Sequence, residues 1–223
     1  MENKNLLLQL GIARLSFLST EDKLKLENNL DNVSNLALLS IDDISFVVGR
    51  VINTKEWPVE NFEKIVLRDL ALMQSYNIDF IHCKDKNYPV MLSQVYDFPY
   101  ALFTRGNNSI LNTPSVAIVG TRNPSMSGMK AAFEFSKDLV ASGYTVVSGL
   151  AMGIDTAAHK GTISYGKTVA VLRDGMTTYS GSFFFYNFSF LRFLFFFLFK
   201  NTELLLMLWA SKLYYQFQKF LEQ

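Results

Sequence analysis

Two short apolar runs, each ending in a turn of small residues that opens a helix, constrain the fold more than any other feature of the chain. The first reads Ser115-Val-Ala-Ile-Val-Gly-Thr-Arg122. The second, one helix later, reads Ser148-Gly-Leu-Ala-Met-Gly-Ile-Asp155 and runs on through Thr156-Ala-Ala-His159. Val116 to Val119 is apolar without alternation, the pattern of a strand buried on both faces of a parallel sheet. A helix is predicted from about Ser127 to Ala141, with Ala132, Phe133, Phe135, Leu139 and Val140 inward and Gly143 ending it. Tyr144-Thr-Val-Val147 is the next strand, Asp155 to about Tyr165 the next helix, and Lys167-Thr-Val-Ala-Val-Leu172 the third strand. Strand and helix alternate, so the expected class is α/β: a parallel sheet with helices on both faces.

If the first two strands are neighbours, both turns lie at the carboxyl edge of the sheet, where ligands of this class bind. Backbone N–H groups and helix N-termini would then stand side by side, an arrangement suited to phosphate. Gly120 lets the chain turn tightly and a ligand approach the backbone. Thr121 offers a hydroxyl and an N–H, and Arg122 a planar fork of donors. Ser125, Ser127 and Gly128 stand where the next helix begins and could donate to the same anion. Equally, Gly120 could simply turn the chain while Arg122 pairs with an acid. In the second turn, Ser148 and Gly149 leave the strand, and Gly153, Ile154 and Asp155 open the helix. Asp155 either belongs to the site or caps that helix. His159 shares its helical face. A catalytic dyad of the two would need a nucleophile and a substrate that the sequence does not supply, so a structural histidine held by Asp155 or by backbone is the better reading. Lys130 and Lys160 read as solvated charges.

Residues 1–76 form a different kind of segment, a small helical domain. Leu6, Leu7, Leu10, Ile12 and Leu15 make a helical stripe, and Ser19-Thr20-Glu21-Asp22 is a helix start. Ser40-Ile-Asp-Asp starts another helical stretch ending at Gly49, a C-cap. Pro58 fits the first position of a longer helix through Met73. The acidic residues here are spaced as a solvated face, and packing is the expected role. From Ile78 the period changes: Ile78-Asp-Phe-Ile-His-Cys83 reads as a strand, and Val90 to Val95 as one or two helical turns. Lys and Arg number 21 against 20 Asp and Glu, so no global charge draws the chain to nucleic acid or membrane, although a local basic patch is compatible with that balance. Cys83 is the one cysteine, which excludes an internal disulfide and a cysteine-based metal cluster. It is expected to be a buried, inert thiol. The N-terminal apolar run is too short for a signal peptide, and the expected compartment is the cytoplasm.

The motifs together resemble the DNA-processing protein A family, also called Smf. Val116-Ala-Ile-Val-Gly-Thr-Arg122, Ser148-Gly-Leu-Ala-Met-Gly-Ile-Asp-Thr-Ala-Ala-His-Lys-Gly161 and Lys167-Thr-Val-Ala-Val-Leu172 carry the resemblance, with Tyr88-Pro-Val-Met-Leu92 and Asp97-Phe-Pro-Tyr-Ala-Leu-Phe103 upstream. It covers roughly residues 78 to 176 and implies an extended Rossmann-like, DNA-binding domain over 77–176, incomplete here. It also implies a bacterial protein that binds single-stranded DNA, protects incoming DNA in natural transformation, loads the RecA recombinase, forms a homodimer, and acts without cofactor, metal or enzymatic activity. By this resemblance Arg122 matches a DNA-contacting arginine, and Gly120, Thr121, Ser148 and Gly149 match the phosphate-facing turns around it. A phosphate cradle without a catalytic constellation agrees with that reading.

The chain departs from the family after its third strand. In place of Gly-Cys-Gly, an apolar residue, Asp and a Tyr-Pro pair, it has Arg173-Asp-Gly-Met-Thr-Thr-Tyr-Ser180. Residues 177–223 read as an aberrant hydrophobic tail of the kind a frameshift would produce; residues 183–199 alone hold half of the chain's phenylalanines. The family's later strands and its dimer and RecA contacts have no counterpart, and a sheet edge would be left uncovered, prone to aggregation. One alternative is a membrane anchor over residues 183–210, against which Arg192 counts, at about 2.5–3.5 kcal/mol for a charge in mid-membrane. Another is a phosphoribohydrolase-like nucleotide enzyme, against which the missing Pro-Gly-Gly-x-Gly-Thr motif and downstream Glu count.

Overall fold

The computed structural model describes residues 2–172 and 204–208. The expectations for residues 173–203 and 209–223, including the Phe-rich run and most of the alternative membrane anchor, lie outside the described residues. No helix among the described residues is long and apolar enough to cross a membrane. The chain divides into two units, one reaching from its start to Asn108 and the other beginning at Ser109.

The first unit opens with α1 (Glu2–Ala13), α2 (Thr20–Asn29), α3 (Val33–Leu38), α4 (Ile41–Val48) and α5 (Phe62–Tyr76). Side chains cap the starts of α2, α3 and α4. Ser19 and Asp22 form a reciprocal capping box on α2, and Ser40 and Asp43 form the same device on α4. Gly49 ends α4 at φ +79°, a left-handed cap that favours glycine. Leu8, Leu10, Ile12, Leu26, Leu36, Ile44 and Val66 meet in one core, each worth about 1.5–3 kcal/mol when fully buried. Pro58 does not begin α5. Trp57 is drawn into the core, where its indole donates to the Leu39 carbonyl at 2.8 Å and meets Phe62 edge to face at 4.8 Å. The chain must loop between these two rings, so α5 starts only at Phe62, with Asn61 before it in a left-handed conformation at φ +56° and no side-chain cap.

The strand expected at Ile78 forms as β1 (Asp79–His82), but it does not join the main sheet. After α6 (Val90–Ser93) the chain returns as β2 (Ala101–Thr104), antiparallel to β1 with Phe80 opposite Phe103. Tyr100, Phe80 and Phe103 pack onto the helical core, so this hairpin shares the core of the helices.

The second unit contains the predicted alternation: β3 (Ser115–Gly120), α7 (Met126–Ala141), β4 (Thr145–Ser148), α8 (Ile154–Ile163) and β5 (Thr168–Ala170). The strand order is β5-β4-β3, parallel throughout, with β6 (Leu204–Leu208) antiparallel on the outer side of β3. That edge of β3 is therefore paired from Val116 to Gly120, while β5 ends the sheet on the other side among the described residues. The parallel strands progress in one direction, so right-handed crossovers send both helices to the same face. Ile118, Val146, Ala132, Val140, Ile154, Ala157 and Ala158 form their shared core. The expected cover on both faces is thus half built among the described residues of this unit. Phe135, read as inward, is 48% exposed, and Ser136 is buried in its place. The cause is a close crossing: a Cβ on Gly161 would lie 2.3 Å from the Phe133 carbonyl oxygen and 3.0 Å from Ser136 Cβ. Only small residues fit at that contact.

Candidate functional site

The parallel register, with Ser115 opposite Thr145, ends β3 and β4 at the same edge, and both small-residue turns leave from it. The two turns are joined through their backbones. Ile154 donates its N–H to the Thr121 carbonyl at 3.2 Å. Gly153 has φ +85°, and a Cβ there would lie 2.3 Å from the Thr121 oxygen and 2.8 Å from the Arg122 carbonyl carbon. Glycine is thus required twice, by the left-handed backbone and by the neighbouring turn.

The sequence-predicted site residues separate into two groups. Ser148, Gly149, Gly153 and Asp155 build the support. The Ser148 hydroxyl is buried and donates to the Ile118 carbonyl at 2.7 Å. Asp155 is buried and does not cap α8; its Oδ2 accepts from the N–H groups of Gly149 at 3.1 Å and Ala151 at 3.4 Å. A carboxylate thus already occupies turn donors that could have met a phosphate. Thr121, Arg122, Ser125, Ser127 and Gly128 form the outer group, following Gly120 at the end of β3. The Thr121 hydroxyl accepts from the Asn123 N–H at 3.2 Å and shapes the turn. Ser125 caps α7 by accepting from the Gly128 N–H at 3.1 Å, with the Ser127 hydroxyl 3.0 Å away. Arg122, Ser125 and Ser127 are exposed. Among the described residues no carboxylate lies within ion-pair distance of Arg122.

His159 is held by Thr168 rather than by Asp155 or backbone. Its Nδ1 lies 2.8 Å from the Thr168 hydroxyl, which itself donates to the Val146 carbonyl at 2.9 Å. The threonine proton being engaged there, the network assigns the imidazole proton to Nδ1. Burial lowers the His159 pKa below 6.5, against the opposing pull of Asp155, and the buried Nε2 has no hydrogen-bond partner among the described residues. A neutral imidazole fastening α8 to the sheet is a structural part.

Sequence reasoning missed a charged cluster in the first unit, where the acids were read as a solvated face. Asp22 is buried and ion-paired with Arg50, which ties α2 to the end of α4. Glu27 lies 3.2 Å from His82 Nε2 and 3.8 Å from Lys84, and accepts from Gln9 at 2.7 Å. Burial would raise the Glu27 pKa, but His82, Gln9 and Lys84 outweigh it and hold the carboxyl at about 2. Burial would likewise lower His82, yet Cys83 and Glu27 raise it to about 9. Cys83 itself is half-buried, its sulfur 3.7 Å from His82 Nε2. The local signal for Asp22 was its capping spacing; Glu27 pairs across a sequence distance that no local pattern spans. No group of three or more potential metal ligands occurs among the described residues.

Residues 79–182 match the family model described as DNA recombination-mediator protein A. The chain is 35% identical over 119 residues to the DNA processing protein DprA of Bacillus subtilis, covering 52% of this chain and 40% of that protein. It is 33% identical over 168 residues to Protein Smf of Borreliella burgdorferi, covering 73% of this chain and 51% of that protein. The crystal structure of DprA from Streptococcus pneumoniae superposes with a TM-score of 0.51 at 32% identity, over 74% of this chain and 56% of that one. The chain therefore spans about half or less of the length of these curated relatives. With the motif order, the paired turns and the parallel sheet all in agreement, the chain belongs to the DNA-processing protein A (DprA/Smf) family.

Proposed function

We propose that the joined turns are the DNA-facing surface of a recombination mediator, binding the phosphates of single-stranded DNA through Arg122 with help from Ser125 and Ser127. One observation carries this reading: Arg122 is exposed, on a turn fixed by Gly153 and Ile154, with no carboxylate in ion-pair reach among the described residues. An arginine whose role was structural would be expected to have an acid beside it. The family description supports DNA as the polymer. Ser148, Gly149, Gly153 and Asp155 then serve by holding the turn rather than by touching DNA.

The proposal extends to protection of incoming DNA and RecA loading during natural transformation, in the cytoplasm and with a second copy of the chain; the family resemblance supports these finer parts. Binding of the full chain to fluorescently labelled oligothymidylate, measured by anisotropy across a salt series, tests the core of it. Arg122→Ala should weaken binding roughly tenfold and reduce the salt slope by about 0.7, the share of one single-strand phosphate contact. Unchanged affinity and slope would remove Arg122 from the interface.

A further inference from the structure

The two most exposed large hydrophobic side chains described in the second unit are Met126, 82% exposed, and Met152, 72% exposed. Both stand at the edge that carries the joined turns, one from each turn. Met126 is the first residue of α7, directly after the Ser125 cap, and Met152 precedes Gly153, whose α-carbon abuts the backbone of Arg122. The turn between β3 and α7 carries Arg122, and Lys130 lies in the first turns of α7; the one acid of the second turn, Asp155, is buried and engaged by backbone N–H groups. This edge therefore offers cationic and hydroxyl groups beside two flexible, polarizable thioethers.

A single nucleic-acid strand matches that combination, because it presents phosphates and unstacked bases alternately along its length. A methionine side chain adapts its shape to a ring and makes favourable sulfur–aromatic contacts. Base contacts of this kind tolerate any sequence, since every base has a π-face. From the position of these two residues we infer that Met126 and Met152 are base-contacting lips of the site, resting unstacked nucleobases while Arg122 holds the intervening phosphate. The inference rests on the DNA-binding reading above and deepens it, naming which part of the strand each side of the turns meets. It also gives the site a preference for single strands, because the bases of a duplex are stacked and closed to such lips.

The test compares two probes of equal length and charge: oligothymidylate, and a strand in which abasic spacers replace the bases. Full-length protein carrying Met126→Gln and Met152→Gln together should bind oligothymidylate about three- to tenfold more weakly, the lower part of the range for two sulfur–aromatic contacts, as suits exposed side chains. Binding to the abasic strand should change less than about twofold. Met126→Leu with Met152→Leu should restore most of the loss, because the apolar contact returns. Arg122→Ala should weaken both probes alike. Equal losses on the two probes in the glutamine variant, or no loss on either, would overturn the lips while leaving the arginine contact standing. Loss of the arginine effect alone would strike the phosphate reading instead. Absence of binding by the unaltered chain would overturn both. Both methionines are exposed, so unchanged circular dichroism of the variants is the expected control.

Discussion

The helical unit and the sheet unit use charge in opposite ways. In the first, Asp22 is buried against Arg50, and Glu27 against His82, so charged side chains are part of how helices and hairpin are joined. In the second, Asp155 is buried but satisfied by backbone N–H groups, His159 is neutral, and Arg122 stands exposed without a carboxylate in reach among the described residues. The helical unit closes its buried charges on one another. A unit built for a ligand uses neutral contacts and small residues for its own assembly and leaves a cation open. The contrast supports the proposal that the sheet unit carries the DNA contact.

The largest expected effect tests how far the sheet unit depends on backbone fit. Gly153→Ala forces a Cβ to within 2.3 Å of the Thr121 oxygen at φ +85°. Strain of about 1–3 kcal/mol at that backbone angle and a similar overpacking term sum to about 4 kcal/mol. Hydrogen exchange followed over peptides of residues 109–172 should show this unit opening, while residues 1–108 keep their protection. Equal loss in both regions would undo the independence on which the comparison rests.

Removing a buried charge partner should strike the other unit. Glu27→Ala leaves His82 buried without its carboxylate, a change worth about 3 kcal/mol, at the lower end of broken buried pairs because imidazole can shed its proton. Urea unfolding with the same exchange readout should place the loss in residues 1–108. A variant as stable as the parent would show the pair to be incidental.

How much of this was visible beforehand follows from the range of each interaction. The parallel strands and their turns were legible because unbroken apolar runs and small-residue turns are local patterns. The capping boxes at Ser19 and Ser40 were legible for the same reason. Phe135 was misplaced because helical periodicity cannot foresee that Gly161 brings α8 close enough to favour buried Ser136 over a ring. Pro58 was misassigned because its neighbour Trp57 is claimed by a distant carbonyl. At the candidate site, the sequence placed the two turns at one edge of the sheet, but not that Asp155 faces back into its own turn or that Gly153 is required by Thr121. Glu27 was hidden because its partner arrives from the hairpin, far along the chain.

The units should also answer pH in opposite directions. His82 is raised from 6.5 to about 9, so its contribution to the helical unit is fully present below pH 6.5 and fades as pH rises through 9. Glu27 is lowered from 4.5 to about 2, so its contribution is present above pH 4.5 and fades as pH falls through 2. His159 is lowered, so the sheet unit's share is present above pH 6.5 and fades as pH falls through the folded value. Burial, partly opposed by Asp97, lowers Lys23 to about 8, which works against the His82 trend only above that value. Between pH 6.5 and 8, protection of residues 1–108 should therefore decline while that of residues 109–172 holds. A parallel decline in both would show that the buried pairs do not set the difference.

The smallest effect is the sharpest test of the open cation. If Arg122 is held for a ligand, Arg122→Ala should change the unfolding free energy by no more than about 0.5 kcal/mol, as for other exposed side chains. Arg50→Ala, which strips the buried Asp22 of its partner, should cost about 1.5–3 kcal/mol, the range for a hydrogen bond to a charged group. The two substitutions delete the same chemistry from the two units. A measurable stability loss at Arg122 would mean that it, too, closes on the protein's own structure, and the division between packing charge and ligand charge would fail at the residue that defines it.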